Sequence, residues 1–307
     1  MIASPLGRTL LIANPAAASG QGRAAAEHAA RFLSAYGTDE LVQRFTERSG
    51  HAQEIAAGSA GFDSVVALGG DGAIHEAVCG LMRVDASERP ALGIIPFGTG
   101  NDFARTIRMA RNDVEGALGM LVRGRRKPLD LGRVNGVWFA QTLSFGLDAA
   151  IALDTTARRA EGDGMKGTGL FVSSAVKVLA KASSGWKCRA SFDGEEVELD
   201  EIVLAVQNGP TYGAGFRICP DARPDDGLLD VCYNLRIPSV PRTLALLGRA
   251  RFGKHTGSKL LAFRKARRAV LDFSEQPPAQ VDGELIEGTH FEIEVVPQAL
   301  EVIVPAE

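Results

Sequence analysis

Residues 64–72 read Ser-Val-Val-Ala-Leu-Gly-Gly-Asp-Gly, a short apolar run that ends abruptly at glycines. A second run of the same kind, Leu92–Phe97, ends at Gly98-Thr99-Gly100-Asn101-Asp102. Such runs predict buried strands, and glycines directly after a strand bring bare backbone N–H groups to the carboxyl edge of a sheet. That edge binds phosphate in α/β folds, so two such turns, each with an aspartate, predict a site for a nucleotide triphosphate with magnesium.

Strand and helix signals alternate along residues 1–128. We predict strands at Thr9–Ala13, Leu41–Thr46, Ser64–Leu68 and Leu92–Phe97, and helices at Arg23–Tyr36, His51–Gly58, about 74–82 and about 103–109. Apolar residues at positions 74, 77, 78, 81 and 82 form one face of the third helix. The alternation predicts an α/β domain whose mostly parallel, Rossmann-like sheet is covered by helices.

The pattern changes near Pro128, where short strand signals begin to be separated by tight-turn dipeptides such as Asn135-Gly136 and Asp193-Gly194. These dipeptides favour the positive φ angles of two-residue hairpins. The predicted strands are Leu131–Val134, Val137–Leu143, Lys187–Phe192, Glu195–Leu199, Ile202–Gln207, Leu228–Asn234, Ala269–Phe273 and Phe291–Val296, interrupted by one helix at about Phe171–Lys181. Residues 129–292 are therefore predicted to form a β-rich sandwich or barrel.

The composition is that of an ordinary globular chain, with 307 residues, 45% hydrophobic and 23% charged residues, and a net charge of −3. The four cysteines form no CxxC pair and have no histidine at zinc spacing, so we expect reduced, buried thiols in a cytoplasmic protein. The apolar run Leu10–Ala13 is too short for a signal peptide or a membrane span. Any action on lipid would therefore take place at the membrane surface, on its inner face.

The motifs, taken in order, resemble the catalytic domain of the diacylglycerol kinase family, in its bacterial branch related to sphingosine and ceramide kinases. The matching segments of the first half are Asn14-Pro15…Ser19-Gly20, Gly69-Gly70-Asp71-Gly72…Glu76 and Pro96-Phe97-Gly98-Thr99-Gly100-Asn101-Asp102-Phe103-Ala104-Arg105. Those of the second half are Ala222-Arg223-Pro224-Asp225-Asp226-Gly227-Leu228-Leu229-Asp230, similar to a metal loop, and Val281-Asp282-Gly283-Glu284, similar to a late catalytic motif. The resemblance spans nearly the whole chain. It implies a phosphofructokinase-like first domain, a nucleotide in the cleft between two domains, and a last segment, about 293–307, that returns to the first domain.

The resemblance also implies which residues act. The nucleotide, ATP, would contact Asn14, Pro15, Ser19, Gly20, Thr46, Gly69, Gly70, Asp71, Gly72, Ala73, Glu76, Gly98, Thr99 and Asn101. Asp71 would act at the phosphates, and Glu284, facing the same gap, would be the general base that accepts the proton of a lipid hydroxyl. Asp226 and the carbonyl groups of Arg223 and Leu228 would hold a structural Mg²⁺.

This chain departs from the family at Ala73, where members usually carry a threonine or serine hydroxyl. Phosphoryl transfer depends on positioning by many groups, so the loss of one neutral donor predicts weaker transfer and not inactivation. The motifs also have plainer local readings. Asn101 or Asp102 could cap the following helix, and by spacing alone Asp282-Gly283 is an ordinary hairpin turn.

Ten basic residues and no acidic one lie between Asp230 and Asp272. Apolar residues are interspersed among them, so the segment Arg236–Arg268 predicts contact with an anionic membrane surface. The plainer alternative is a solvated face balanced by acidic residues from elsewhere in the chain. No nucleic-acid-binding motif accompanies the charge.

Three functions remain open at this point. The first is an ATP-dependent lipid kinase that phosphorylates a hydroxyl of a diacylglycerol-like or sphingoid lipid. The second is a kinase of a soluble substrate, since NAD kinases and phosphofructokinases also carry GGDG. The third, suggested by Ala73, is a nucleotide or lipid sensor without turnover. The sequence does not predict the oligomeric state.

Overall fold

A computed structural model of the chain describes residues 4–160, 170, 173–174, 177–178 and 185–306. The chain divides into two compact units, one of Met1–Asp130 with Gln298–Glu307 and one of Leu131–Pro297. Two long strands, β5 and β16, contribute residues to both units. The predicted helix at about Phe171–Lys181 falls largely outside the described residues.

The first unit is an α/β domain built on a parallel sheet, as the alternating signals predicted. Its strands are β1 (Arg8–Ala13), β2 (Glu40–Phe45), β3 (Ser64–Gly69) and β4 (Ala91–Pro96). Its helices are α1 (Ala17–Gly20), α2 (Gly22–Tyr36), α3 (His51–Ala57), α4 (Asp71–Leu81), α5 (Asp102–Thr106) and α6 (Val114–Arg123). The strands β3 and β4 are buried along their whole length, which explains their continuous apolar sequence.

The strand order in this unit is β2-β1-β3-β4, and Val302 at the end of β16 pairs in parallel with Leu92 of β4. The chain leaves β1 towards β2 on one side and returns to β3 on the other side of β1. Such a reversal is a topological switch point, where open α/β sheets bind ligands outside the carboxyl ends of their strands.

Helix α6 was not predicted, although its start carries a recognisable signal. The side chain of Asp113 accepts a hydrogen bond from the backbone N–H of Gly116 at 2.9 Å, which caps the helix. An aspartate three residues before a glycine is also common in turns, so this signal alone does not distinguish a helix start from a turn.

The second unit is a β-sandwich with antiparallel pairing. Its strands are β5 (Arg125–Val134), β6 (Val137–Phe139), β7 (Thr142–Gly146), β8 (Trp186–Phe192), β9 (Glu195–Glu201), β10 (Val203–Gln207), β11 (Leu229–Asn234), β12 (Leu261–Ala266), β13 (Arg268–Phe273), β14 (Ala279–Val281), β15 (Glu284–Leu285) and β16 (His290–Val304). One sheet has the order β12-β11-β10-β7-β14-β15, and the other contains β16-β13-β8-β9 with β5 and β6. The two predicted hairpins are present, since Val134 pairs with Val137 and Phe192 pairs with Glu195.

Two apolar cores flank the six-stranded sheet. One contains Phe145, Phe273 and Phe291, whose rings lie 4.8–6.0 Å apart. The other includes Ile151 of α7 (Leu147–Ala160) and Ala250 of α8 (Val240–Ala250). The prediction of a single helix in this half is therefore wrong, and strand β12 was also missed. All four cysteines are buried thiols.

Candidate functional site

The loops that carry the predicted nucleotide contacts follow neighbouring strands of the first unit. The backbone N–H of Asn14 donates to the carbonyl of Leu68 at 3.0 Å, and that of Thr46 donates to the carbonyl of Ala13 at 2.9 Å. The N–H of Phe97 donates to the carbonyl of Gly69 at 2.7 Å. Four loops therefore start side by side at the carboxyl edge of the sheet, around the switch point between β1 and β3.

The two glycine turns touch each other. A Cβ atom added to Gly98 would lie 2.5 Å from the Cα of Gly70, and one added to Gly100 would overlap the carboxylate of Asp71. A Cβ on Gly69 would lie 2.8 Å from the Cβ of Ala73. Glycine is required at these positions because any side chain would push the two loops apart. The glycines therefore serve the packing of the loops as well as the access of a phosphate to the backbone.

Asp71 joins the two turns through its carboxylate. Its Oδ2 accepts a hydrogen bond from the N–H of Asn101 at 2.6 Å, and its Oδ1 accepts one from the N–H of Asp102 at 2.7 Å. These N–H groups open α5, so its N-terminus is capped by a residue of α4. Asn101 lies at φ 52° and makes no capping bond of its own. The expectation that the Asn101 side chain caps α5 is therefore wrong.

Asp102, the aspartate of the second glycine turn, is a further acidic residue of this site, although it is not among the predicted ATP contacts. Its side chain is buried and lies 3.6 Å from the guanidinium of Arg105. A Cβ on Gly100 would meet the carboxylates of both Asp71 and Asp102, so the two acidic side chains flank one glycine. The Gly-Thr-Gly-Asn-Asp motif contains this aspartate, but its presence was explained equally well by a role in capping the following helix.

The loop after β1 has an unusual backbone. Ala18, Ser19 and Gly20 have φ angles of 48°, 60° and 93°, so three successive residues are left-handed. Side-chain-bearing residues in this region are strained, and such outliers are concentrated at ligand-binding loops. Asn14 fixes the start of the loop, because its Oδ1 accepts a hydrogen bond from the N–H of Ala16 at 2.9 Å.

The other predicted nucleotide contacts have mixed positions. Thr99 is exposed, whereas Thr46 and Ala73 are half-buried. The carboxylate of Glu76 accepts hydrogen bonds from the N–H groups of Gly50 and Ala52 at 2.8 and 3.1 Å, at the start of α3. Glu76 therefore holds α3 in place, and its contact with a nucleotide stays a prediction.

The Asp282-Gly283-Glu284 motif belongs to the second unit and forms the predicted hairpin turn. Val281 pairs with Glu284, while Asp282 and Gly283 have φ angles of 48° and 99°. The Asp282 carboxylate accepts hydrogen bonds from three successive N–H groups, those of residues 140–142, at 2.8–3.1 Å. Asp282 thus anchors the turn, and Glu284 is exposed at its end.

Buried amide side chains support this turn, and the sequence analysis missed them. Gln280 accepts from the N–H of Gly283 at 2.7 Å, Gln141 donates to the carbonyl of Thr211 at 2.5 Å, and Asn208 donates to the carbonyl of Ala140 at 2.9 Å. All three amides are at most 5% exposed. Gln280 lies within β14, Gln141 directly precedes β7 and Asn208 directly follows β10, so polar residues in or beside apolar strands are the sequence signal that could have indicated them.

An ammonium group lies at the predicted metal loop. The ammonium of Lys265 donates to Asp226 Oδ2 at 2.7 Å and lies 3.5 Å from Asp230 Oδ2, while Asp226 Oδ1 accepts from the N–H of Leu228 at 3.2 Å. Mg²⁺ needs about six oxygen ligands in octahedral geometry. Within the described ranges no three acidic, histidine or cysteine side chains form a metal-binding group. In the predicted set of Arg223, Asp226 and Leu228, an ammonium group therefore lies on the one carboxylate assigned to Mg²⁺, and metal binding by this set stays a prediction.

We therefore expect the stability of the protein to be independent of Mg²⁺ and to depend on Lys265. Burial raises the pKa of Asp230, and the nearby ammonium of Lys265 opposes that effect. The variant Lys265→Met should lower stability by about 1 kcal/mol, since the pair is partly exposed, and Mg²⁺ should restore part of the loss. Thermal unfolding with Mg²⁺ or with EDTA measures both effects.

The matched control is Lys259→Met, which removes an exposed lysine from the same unit. It should leave the melting temperature unchanged in both buffers. A wild-type protein that is stabilised strongly by Mg²⁺ and destabilised by EDTA would show that a dication, and not Lys265, occupies the loop.

The strained and glycine-rich loops lie at the switch point of an α/β sheet, which is where such sheets bind anionic ligands, and the second unit of the chain is a β-sandwich. The family model of the diacylglycerol kinase catalytic domain matches residues 8–134, and that of the YegS C-terminal NAD kinase beta sandwich-like domain matches residues 141–304. The chain therefore belongs to the diacylglycerol kinase catalytic-domain family, among the members with a YegS-type C-terminal domain.

Individual proteins agree with this assignment. Relatives from Yersinia pestis (strain Pestoides F) and Yersinia pseudotuberculosis serotype O:1b (strain IP 31758), each named "Probable lipid kinase YegS-like", are 31% identical over 271 residues, which is 86% of this chain and 87% of theirs. A crystal structure of "a putative diacylglycerol kinase" from Bacillus anthracis str. Sterne superposes with a TM-score of 0.81 at 23% identity over 98% of both chains. At that identity the superposition shows a shared fold. In the described part of the chain, no helix has the length and apolar character that crossing a membrane requires.

Proposed function

We propose that the protein is an ATP-dependent lipid kinase that transfers the γ-phosphate to a hydroxyl of a diacylglycerol-like or sphingoid lipid. The observation that carries the proposal is the junction of the two glycine turns by Asp71 at the switch point of a sheet in this family's catalytic domain. The named relatives, at 31% identity, support lipid as the acceptor class.

In the proposed reaction MgATP is the co-substrate, and its own magnesium ion neutralises charge on the phosphates. The backbone of the Asn14–Gly20 loop and the two glycine turns would position the phosphates. The lipid hydroxyl oxygen forms a bond to the γ-phosphorus as the bond between that phosphorus and the β,γ-bridging oxygen breaks, and ADP leaves. Glu284 would accept the hydroxyl proton. Its exposed place on a rigid turn keeps this carboxylate accessible to a substrate.

The decisive experiment is incubation of the purified full chain with γ-labelled ATP, Mg²⁺ and separate acceptors in mixed micelles. The acceptors are diacylglycerol, monoacylglycerol, sphingosine and ceramide, with NAD⁺ and fructose 6-phosphate as soluble acceptors. Label in a lipid product supports the proposal. Label in NAD⁺ or the sugar alone would show a soluble-substrate kinase, and tight ATP binding without any product would show a sensor.

Ala73 provides a gain-of-function prediction. The variant Ala73→Ser adds a hydroxyl in the first turn of α4, beside the glycine turn. One neutral hydrogen bond contributes about 0.5–1.5 kcal/mol, so kcat/KM for ATP should rise by about two- to tenfold. Steady-state kinetics at saturating lipid measure the change in kcat/KM, with Ala24→Ser at an exposed position of α2 as the control. An unchanged or lower kcat/KM for Ala73→Ser would contradict the role assigned to this position.

A further inference from the structure

Large apolar side chains are exposed in one segment of the second unit. Nine such side chains are at least 36% exposed among the described residues, and six of them lie between positions 235 and 263. The six are Leu235 (56%), Ile237 (45%), Val240 (48%), Leu244 (38%), Phe252 (70%) and Phe263 (36%). Single exposed apolar residues are ordinary, but a concentration of them marks an interaction surface.

Local contacts connect parts of this segment. Val240 and Leu244 are one turn apart on α8, and only Thr243 and Ala250 of that helix are buried. The N–H of Leu235 donates to the carbonyl of Leu260 at 2.8 Å, which joins the start of the segment to its end. Phe263 packs against His255, with ring centroids 5.6 Å apart.

Cations surround the apolar side chains. Arg236, Arg242, Arg249, Lys254 and Lys259 are exposed, and none of them forms an ion pair with any residue that the structure describes. Three other cations of the predicted segment form ion pairs. Arg264, Lys265 and Arg268 pair with Glu195, Asp226 and Glu292.

We infer that the six exposed apolar residues and the five unpaired cations form a docking surface for an anionic lipid bilayer, which we call the basic–apolar surface. Apolar side chains enter the interface while flanking arginine and lysine residues meet the headgroups. The bilayer is favoured over other partners because the surface combines cations with protruding apolar groups and contains no acidic residue from 231 to 271. The inference extends the proposed function, since a lipid kinase must reach a substrate that stays in a membrane.

Vesicle sedimentation tests the surface without any need for turnover. The full chain is mixed with vesicles of phosphatidylcholine alone, or of phosphatidylcholine with one third phosphatidylglycerol, at low and high NaCl. We expect binding to the anionic vesicles that weakens as NaCl rises, and little binding to the neutral vesicles. Equal binding to both compositions would overturn the inference.

Two variants separate the apolar and the charged contributions. Phe252→Ala should weaken binding to anionic vesicles by about tenfold, through loss of an inserted side chain. Its control is Tyr36→Ala, which removes an aromatic residue of the first unit that is equally exposed, 71% against 70%. Arg242→Gln with Lys254→Gln should weaken binding by about fivefold for each charge. Its control is Arg31→Gln with Arg44→Gln, two exposed cations of the first unit.

The outcomes are distinguishable from those of the kinase assay. Vesicle binding with the expected losses, but no labelled lipid, would support the surface and contradict the proposed function. Labelled lipid in micelles, with Phe252→Ala binding vesicles as well as wild type does, would contradict the surface alone. A concentration-dependent dimer that Phe252→Ala abolishes, measured by light scattering, would show that a second copy of the chain covers these residues, and would overturn the inference.

Discussion

Replacing Asp71 by asparagine is expected to abolish phosphoryl transfer and to lower the melting temperature together. The two carboxylate oxygens of Asp71 accept hydrogen bonds from the backbone N–H groups of Asn101 and Asp102, at 2.6 and 2.7 Å. Asparagine retains one acceptor and turns an amide donor towards the other N–H. Charged hydrogen bonds of this kind contribute about 1.5–3 kcal/mol each, so a loss of about 3 kcal/mol is expected. Transfer of label to lipid should fall by at least about 10³-fold, since the phosphate loops lose their junction.

Calorimetry and the kinase assay measure the two effects on the same preparation. The control is Asp85→Asn, an exposed aspartate in the turn after α4, which should change neither the melting temperature nor the rate. An Asp71→Asn protein with unchanged stability would contradict the junction seen in the structure. Unchanged transfer would contradict the role of Asp71 at the phosphates.

The variant Glu284→Gln is expected to separate catalysis from stability. Glu284 is exposed, and its turn is held by Asp282 and Gln280, so the variant should keep the wild-type melting temperature. Loss of a general base lowers kcat by about 10²- to 10⁴-fold. The Kd for ATP, measured by calorimetry, should remain unchanged because the proposed base acts on the lipid hydroxyl.

Glu287→Gln is the matched control, since Glu287 is also exposed and lies three residues further along. It should retain the wild-type kcat. If Glu284→Gln and Glu287→Gln both kept kcat within a factor of about three, Glu284 would not be the base. The binding half of the proposal would then still rest on Asp71.

The sequence predicted the fold wherever a strong local pattern coincided with burial. Strands β3 and β4 are continuous apolar runs because helices cover both faces of a parallel sheet, and Asn135-Gly136 and Asp193-Gly194 form the turns that their φ preferences require. Helix α8 was not among the predicted elements although its sequence is strongly amphipathic at the helical period. The segment was interpreted by its basic and apolar composition alone, and two of its apolar residues, Val240 and Leu244, are exposed instead of facing a core.

The candidate site was predictable in its motifs and not in its contacts. The glycine turns and Asp71 could be identified from the chain, but the capping of α5 by Asp71 joins residues 30 positions apart. Two other contacts join residues that are still further apart in the sequence. Asp282 accepts hydrogen bonds from residues 140–142, and Lys265 donates one to Asp226. Such pairings depend on which strands become neighbours, and no local propensity encodes that information.

An ammonium group that is part of the chain cannot be removed by a chelator or diluted out of its place. If Lys265 supplies the positive charge at Asp226 and Asp230, the folded state of this protein carries no requirement for free divalent ions. Its output would then follow the supply of magnesium-loaded ATP and the amount of acceptor lipid. The concentration of free Mg²⁺ in the cell would then affect the reaction through the amount of MgATP, and it would not affect the stability of the folded protein.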